Sequence, residues 1–314
     1  MTAKHAGKVV IFVGGSSYIG STMLGLMLGN DDRGFSCGEI SSYFNPTKHP
    51  HHHPRCGCGN ELCDTWKEIR KHGAPRLYET IFEMYPNLTF IVDSSKNPLW
   101  IGKQQKRLRE SGISYRNILI WKHPFQAAYS YKKRGVYGNW ERNWVSYHRL
   151  YCSLFRNWRA VSYEAVTSTG KALRRVCGCA GISYFPGKEK YWERRHCIIG
   201  GNHSARIHLQ RMKTAEHEHA REMMYSNKEP YVERRHRGIY RDVPRDEGLR
   251  LKVRERMEQS PYISAIIDAL IARDVGVQGP SGSTPERIRM SRAEILLRLT
   301  SRWFKTTLGR VRHS

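Results

Sequence analysis

The stretch that decides the fold is Lys8-Val-Val-Ile-Phe-Val13, followed by Gly14-Gly-Ser-Ser-Tyr-Ile-Gly20 and then Ser21-Thr-Met-Leu-Gly-Leu-Met-Leu28. The first segment is a continuous run of β-branched and aromatic residues, which is typical of a buried parallel strand. The second segment is rich in glycine, and the third is predicted to be a helix with serine or threonine hydroxyls at its N-cap. The order of strand, glycine-rich loop and helix predicts a turn that binds phosphate.

Strand-like and helix-like segments alternate along the rest of the chain. The predicted strands span 88–92, 116–121 and 159–163, and the predicted helices span 66–85, 103–110, 126–133 and 171–179. This alternation predicts an α/β fold of three P-loop-like layers, with a central parallel sheet flanked by helices. We expect one domain over 1–275, with insertions at about 41–64 and 207–245, and a linker at 276–285.

The terminal segment 286–314 is predicted to be a basic amphipathic helix, because Ile295, Leu299 and Trp303 recur at i, i+4 and i+8. Such a helix can lie on an anionic membrane surface at the inner face. The alternative is a helix that packs on the domain or on a second subunit, so a homodimer stays open.

The charge balance is strongly basic. The chain of 314 residues has 53 Lys and Arg against 28 Asp and Glu, a net charge of +25. A surface of this kind attracts polyanions, anionic lipids or acidic substrates, although solubility alone is an alternative explanation. No zinc finger, RNA-recognition or helix-turn-helix signature accompanies the charge, so no specific nucleic-acid partner is expected.

The N-terminal segment Met1–Lys8 is short and polar, and no apolar run is long enough for a signal peptide or a membrane span. Eight cysteines are too few for a disulfide scaffold in a chain of this length. Both observations favour a cytoplasmic protein.

The pattern Gly15-x4-Gly20-Ser21-Thr22 has the spacing of a phosphate-binding loop, but Ser21 stands where nucleotide triphosphatases have a lysine. Backbone amides and the positive end of the helix dipole can still hold an anion. The absent lysine disfavours a triphosphate with magnesium and favours a monophosphate-like group. A glycine-rich turn without a ligand is the alternative.

Several separated motifs resemble those of sulfotransferases that use 3'-phosphoadenosine 5'-phosphosulfate (PAPS), and they occur in the same order over about residues 8–206. The first is the loop Val13–Leu24 followed by Phe35-Ser-Cys-Gly-Glu-Ile40, which is similar to the start of bacterial members and of tyrosylprotein sulfotransferases. The resemblance implies PAPS as sulfuryl donor and PAP as product, with no metal. It places the donor's 5' side on Gly15, Ser16, Ser17, Tyr18, Gly20, Ser21 and Thr22.

Three later motifs extend the resemblance. The segment Ile118–Ser130 is similar to the family's 3'-phosphate element, which implies that Lys122 and Ser130 hold the 3'-phosphate. The segment Ser162-Tyr-Glu164 implies that Tyr163 lies near the adenine, although a packed core tyrosine is equally consistent. The segment His196–Arg206 implies a closure over the donor through Gly200, Gly201 and Arg206.

The loop departs from the family pattern at Tyr18 and Ile19, where a basic residue and a serine are usual. Lys96 or a nearby arginine could supply the missing charge. A protein that binds the donor without catalysis is therefore one alternative.

The proposed reaction needs a base and a cation. By the resemblance Glu39 is the base that accepts the proton of the acceptor hydroxyl, and Lys96 stabilises the leaving oxygen. A surface or capping role is the alternative for Glu39, and Asp93 could orient Lys96. Asp93 also keeps open a phosphotransferase with a degenerate loop. The acceptor is expected to be a hydroxyl of a glycan, a lipid or a small metabolite.

A loop rich in cysteine and histidine contains His49, 51–53, Cys56, Cys58 and Cys63. Its Cys-x-Cys-x4-Cys spacing differs from the paired Cys-x2-Cys of structural zinc fingers. Similar insertions in sulfotransferase-like chains imply a loop beside the acceptor pocket, with zinc or a disulfide as alternatives. Cys177 and Cys179 are predicted to be core residues of a helix.

Overall fold

The computed structural model describes residues 5–45, 56–58, 63–168, 170–206, 209, 246–276 and 288–297. Residues 46–55 and 59–62 of the predicted insertion at 41–64 lie outside these residues, as does most of the predicted insertion at 207–245. Residues 277–285 of the predicted linker at 276–285, and residues 286–287 and 298–314 of the predicted terminal helix, lie outside them as well. The predictions for Leu299 and Trp303 therefore stay predictions.

Five parallel strands form the central sheet in the order β2-β3-β1-β4-β5. They are β1 Val9–Gly14, β2 Gly34–Gly38, β3 Phe90–Asp93, β4 Ser114–Trp121 and β5 Arg159–Ser162. The apolar strand β1 lies in the middle and pairs with β3 and β4, with Ile11 opposite Val92 and Arg116. Helices flank this sheet, and the predicted α/β fold with a P-loop-like core is confirmed.

The helices before β4 are α1 Ser21–Leu28, α2 Ser41–Phe44, α3 Asp64–His72, α4 Leu77–Met84 and α5 Pro98–Ser111. Those after β4 are α6 Pro124–Lys132, α7 Trp140–Leu154, α8 Tyr163–Ser168, α9 Gly170–Ala180, α10 His203–Arg206, α11 Glu247–Gln259 and α12 Ile263–Ile271. The predicted single helix at 66–85 is wrong. Helix α3 ends at Gly73. The short 3-10 turn Ala74–Arg76, which has a proline in its first turn, then separates α3 from α4.

Three local predictions are also corrected. Tyr163 is the first residue of α8 and not the last residue of β5. Cys179 is exposed whereas Cys177 is fully buried, because two residues along a helix point to nearly opposite faces. In the terminal segment, the described helical residues are 292–297, and the preceding Ile288 is buried against the domain.

Helix α7 was not predicted from the sequence, and it buries an aromatic face in the core. Trp140, Trp144 and Tyr151 are buried, and they recur at intervals of four and seven residues, the period of one helix face. Each buried aromatic side chain removes a large apolar area from water. Among the described residues, no helix combines the length and the apolar character that a membrane span requires.

A buried ion pair joins the end of the α1 region to the segment after α9. Lys188 Nζ lies 2.9 Å from Asp31 Oδ2, and the Lys188 side chain is 0% exposed. Burial alone would raise the pKa of Asp31, but hydrogen bonds from Lys188 and from the Arg33 backbone lower it overall. The pair therefore contributes stability at pH values above about 3.9, and this contribution is lost as the pH falls through the folded-state pKa.

Replacing Lys188 by alanine should lower the free energy of unfolding by about 3–5 kcal/mol, because the Asp31 carboxylate is left buried without its cation. Lys190→Ala is the matched control: Lys190 pairs with Glu193 at 3.7 Å on the surface, and its loss should cost about 1 kcal/mol or less. Urea denaturation at neutral pH measures both. Equal effects of the two substitutions would contradict the assignment.

Candidate active site

The candidate site residues follow the carboxyl ends of the five strands. The glycine-rich loop follows β1, Glu39 follows β2, Lys96 follows β3, Lys122 follows β4 and Tyr163 follows β5. In a parallel sheet these ends share one edge, and ligands of open α/β sheets bind there. The topology thus brings together residues that are up to 148 positions apart in the chain (from Gly15 to Tyr163).

The loop leads into α1 through Gly20, which has a φ of 105° and makes no side-chain cap. The predicted hydroxyl N-cap is therefore wrong. The first backbone hydrogen bond of the helix runs from Leu24 to Gly20, at 3.0 Å. The amides of Ser21, Thr22 and Met23 consequently have no acceptor within the helix, and they point out of its positive end.

Two serines of the loop differ in their surroundings. Ser16 is buried, and its Oγ has no hydrogen-bond partner among the described residues. Ser17 is exposed. A buried hydroxyl without a partner is costly unless a ligand or water satisfies it. Ser16 therefore fits a loop that receives an anion.

Tyr147 on α7 connects two sides of the site, and it is a residue that the sequence interpretation missed. Its hydroxyl accepts a hydrogen bond from the Gly15 amide at 2.8 Å and donates one to the Lys96 carbonyl at 2.7 Å. Burial raises the pKa of Tyr147, so its hydroxyl stays protonated. The Gly15 amide is therefore already bonded to Tyr147. Only the backbone amides after Gly15 are left for an anion.

Lys122 contacts the loop and the next helix at the same time. Its Nζ donates to the Tyr18 carbonyl at 2.9 Å and to Ser130 Oγ at 3.0 Å. Trp144 holds the backbone of Lys122 through a hydrogen bond to its carbonyl at 3.1 Å. The two residues predicted to hold a 3'-phosphate are therefore in contact with each other and with the phosphate loop.

The charge of Lys122 lacks a carboxylate partner within the part of the chain that the structure describes. Burial, together with the nearby cations Lys133 and Arg134, holds the pKa of Lys122 well below its usual value. A bound anion would reverse both effects, because it replaces lost hydration and opposes the like charges. This balance is what a phosphate-binding lysine requires.

Arg134 lies over the Tyr18 ring, with 4.3 Å between the guanidinium carbon and the ring centroid. It also donates to the Ser130 carbonyl at 2.7 Å. A cation from the segment just after α6 thus lies beside Tyr18, the loop position where the resemblance led us to expect a basic residue. The neighbouring Lys132 is turned away and pairs with Asp246 at 2.6 Å.

Tyr163 packs on the phosphate loop. A Cβ added at Gly20 would lie 2.4 Å from the Tyr163 ring, so only glycine fits there. The ring also lies 4.3 Å from Lys122 Nζ, a cation–π contact. Tyr163 is buried, and its ring contacts both the glycine-rich loop and Lys122.

Glu39 and Lys96 form an ion pair between Glu39 Oε1 and Lys96 Nζ, with both side chains partly exposed. The amide of Glu39 donates to the Ile199 carbonyl at 2.7 Å, which fixes the start of its side chain. In the described chain, the non-glycine residues with positive φ are Tyr18 at 63° and Lys96 at 64°. Such strain is retained mainly at functional positions, and here both cases border the same site.

Asp93 does not contact the Lys96 side chain. Its Oδ2 accepts from Tyr78 at 2.6 Å and from the Trp100 indole at 2.8 Å, and its Oδ1 accepts from the Ser95 amide at 2.8 Å. The side chain is fully buried, and this burial raises its pKa while the three hydrogen bonds oppose the shift. Asp93 therefore shapes the turn that carries Lys96, and the expectation that it orients the lysine directly is wrong.

The segment after residue 196 closes against α1. The Asn202 amide donates to Thr22 Oγ1 at 2.9 Å. Gly201 has a φ of 96°, and a Cβ there would lie 2.7 Å from Thr22, so the backbone approaches closely. Arg206 is buried in the short helix α10, which packs against α1. The predicted closure residues are thus beside the loop, and their roles in binding stay predictions.

Comparison with known proteins gives structural neighbours only. No protein-family model and no curated protein matches the sequence. The chain is similar to a sulfotransferase domain from the curacin biosynthetic pathway, with 16% identity and a TM-score of 0.45, over 73% of this chain and 96% of that domain. It is also similar to the sulfotransferase domain of the Synechococcus PCC 7002 olefin synthase, with 14% identity and a TM-score of 0.44, over 81% and 95% of the two chains.

Lys122→Met should weaken the binding of adenosine 3',5'-bisphosphate by about 10- to 100-fold, because a hydrogen bond to a charged group contributes about 1.5–3 kcal/mol. Binding of AMP, which lacks the 3'-phosphate, should change far less. Isothermal titration calorimetry measures both ligands, with Lys132→Met as the control cation on the same helix region. Equal losses for the two ligands, or an equal loss in the control, would rule out the assigned contact.

Bisphosphate binding should also take up protons at alkaline pH. In the free protein the pKa of Lys122 is lowered, so a fraction of the side chain is neutral there, and the bound anion raises the pKa again. Affinity should therefore fall as the pH rises through the pKa of the free protein. Calorimetry in two buffers of different ionisation enthalpy gives the proton count. Uptake that persists unchanged in Lys122→Met would show that another group is responsible.

Proposed function

We propose that this protein is a sulfotransferase that moves a sulfuryl group from PAPS to an acceptor hydroxyl. The observation that carries the proposal is the pair of anion-binding elements at one sheet edge. One is the cradle of backbone amides at the start of α1, and the other is Lys122 with Ser130, joined to the cradle through the Tyr18 carbonyl. A nucleotide with separate 5'- and 3'-phosphate groups fits two such elements better than a nucleotide with one phosphate chain.

The residues fit this donor in three ways. Ser16 has a buried hydroxyl without a partner among the described residues. Gly20 leaves room where a Cβ would collide with Tyr163. Lys122 is a partly buried cation that donates to the Ser130 hydroxyl oxygen, and that hydroxyl itself donates to the Gln126 carbonyl at 2.9 Å. In the proposed complex the amides of 16–23 hold the 5' side, Lys122 and Ser130 hold the 3'-phosphate, and Arg134 adds positive charge beside Tyr18.

When bound, PAPS supplies the activated sulfuryl group. The bond from the acceptor oxygen to sulfur forms as the bond from sulfur to the 5'-phosphate oxygen breaks. The electron pair of that bond leaves with PAP, and the proton of the acceptor hydroxyl passes to the Glu39 carboxylate. Lys96 has three N–H donors, so it can hold Glu39 and also donate to an oxygen that gains charge in the transition state.

The main enzyme alternative, a phosphotransferase that uses magnesium, is disfavoured by Asp93. Its oxygens already accept three hydrogen bonds, and the side chain is 0% exposed, so it cannot also bind an ion at the edge of the sheet. Ser21 also stands where the loop lysine of triphosphate-binding proteins would lie. We retain a glycan, lipid or small-metabolite hydroxyl as the acceptor class. A cytoplasmic location and peripheral membrane contact through residues 286–314 also stay predictions.

Glu39→Gln and Lys96→Met should each lower the transfer of labelled sulfuryl group by about two or more decades, because a positioned base or an electrostatic stabiliser contributes on this scale. Binding of adenosine 3',5'-bisphosphate should persist in both variants. The assay uses labelled PAPS with a panel of hydroxylated lipids, glycans and phenols. Glu68→Gln is the control, because Glu68 pairs with Lys71 on the surface of α3, at 2.7 Å.

Parallel reactions with γ-labelled ATP and binding titrations with duplex DNA separate the alternatives. Transfer from ATP, or tight DNA binding without transfer from PAPS, would overturn the proposal. Near-normal transfer in both site variants would retain the donor but reject the assigned roles of Glu39 and Lys96.

A further inference from the structure

Four cysteines from three segments meet beside the active site. Cys56 and Cys58 belong to one short loop, Cys63 precedes α3, and Cys197 comes from the segment that closes on α1. Their Sγ atoms all lie within 4.8 Å of one another. The sequence pattern contained only the first three, because Cys197 lies 134 residues after Cys63.

The sulfur arrangement fits a tetrahedral metal site. Zinc–sulfur bonds of about 2.3 Å place the four sulfurs of a tetrahedron about 3.8 Å apart. Cys56 Sγ and Cys63 Sγ are separated by 3.5 Å, close to that spacing. A disulfide would require about 2.05 Å, and all eight cysteines of the chain are free. The cluster is thus one group of four thiols and not two bonded pairs.

The surrounding backbone holds the thiols before any metal arrives. The Gly57 amide donates to the Ile198 carbonyl at 2.8 Å, and Cys56 bridges Ile199 in antiparallel fashion. The Cys58 amide lies 3.5 Å from Cys56 Sγ as a hydrogen-bond donor. Backbone pairing of this kind lowers the entropic cost of assembling ligands from distant segments.

Two positive groups face the sulfur cluster. Cys63 is the N-cap residue of α3, where the positive end of the helix dipole stabilises a negative sulfur. The Arg195 guanidinium forms a side-chain hydrogen bond with Cys58. A positive side chain offsets the double negative charge that four thiolates around Zn²⁺ would carry.

We propose that Cys56, Cys58, Cys63 and Cys197 bind one structural Zn²⁺ ion. Four protein sulfurs fill the coordination sphere, so the site is closed and has no position for a substrate. The metal would connect the cysteine loop to Ile199, whose carbonyl accepts the Glu39 amide and whose own amide donates to the Cys37 carbonyl at 2.9 Å. This zinc is separate from the proposed transfer chemistry, and its binding does not depend on the proposed function.

The histidines at 49 and 51–53 lie outside the described residues, and the four sulfurs complete a tetrahedron without them. Zinc bound by these histidines, and not by the four cysteines, would therefore be an outcome against the proposal. It is separated from the proposal by replacing His51, His52 and His53 with alanine.

The full chain, purified without a histidine tag, should contain about one zinc per chain by plasma mass spectrometry. Cys197→Ser should lose most of this zinc, whereas Cys179→Ser should keep it, because Cys179 is exposed and is not part of the cluster. The triple histidine variant should also keep it. Zinc that is retained in Cys197→Ser, or lost only in the histidine variant, would overturn the proposal.

If Cys197→Ser fails to fold, the wild-type protein still decides the question. Titration with a mercurial thiol reagent should release the zinc as four thiols react, and Co²⁺ substitution should give the intense visible bands of a tetrahedral thiolate site. A native protein with only trace metal would contradict the proposal. An intact mass that is lower by two hydrogens per disulfide would contradict it as well.

Discussion

The site depends on one partly buried positive charge. Lys122 Nζ bonds to the Tyr18 carbonyl and to Ser130 Oγ, lies over the Tyr163 ring, and has no carboxylate partner in the described chain. Neutral oxygens and a ring face replace only part of the hydration that an ammonium group loses. The nearby cations Lys133 and Arg134 add like charge and lower the pKa of Lys122 further. An anion relieves both costs, so the protein's own electrostatics select for an acidic ligand at this point.

The rest of the architecture serves to keep this charge next to the amide cradle. Parallel strands β1 and β4 are adjacent in the sheet, which places the loop after β1 beside Lys122. On the other side of the loop, Tyr147 connects Gly15 to the turn that carries Lys96. The closing segment then joins Thr22 through Asn202 and Glu39 through Ile199. The same segment carries Cys197, so the proposed zinc site would stabilise the side of the candidate site that holds Glu39.

Local sequence signals predicted the parts of the fold that have a simple period. Strand β1 and helix α1 lie within a residue of their predicted bounds, because a continuous apolar run and a glycine-rich loop have few alternative structures. Strand β2 was missed, since Gly34-Phe-Ser-Cys-Gly38 lacks β-branched residues and gains its place from pairing with β3. The break after Gly73 was also missed.

The candidate site residues could also be predicted from the sequence only where a local signal places them. Residues that directly follow a strand, such as Lys96 and Lys122, could be placed at the sheet edge from sequence, because topology alone brings strand ends together. Tyr147 and Cys197 could not, since they lie on a helix and a loop far along the chain and meet the site only through tertiary packing. A crystal structure with adenosine 3',5'-bisphosphate tests most directly whether Lys122 and Ser130 bind a 3'-phosphate. We expect 3'-phosphate oxygens about 2.7–3.1 Å from Lys122 Nζ and Ser130 Oγ, with the 5'-phosphate over the first turn of α1. A nucleotide bound elsewhere, or a 3'-phosphate that does not contact Lys122, would contradict this expectation.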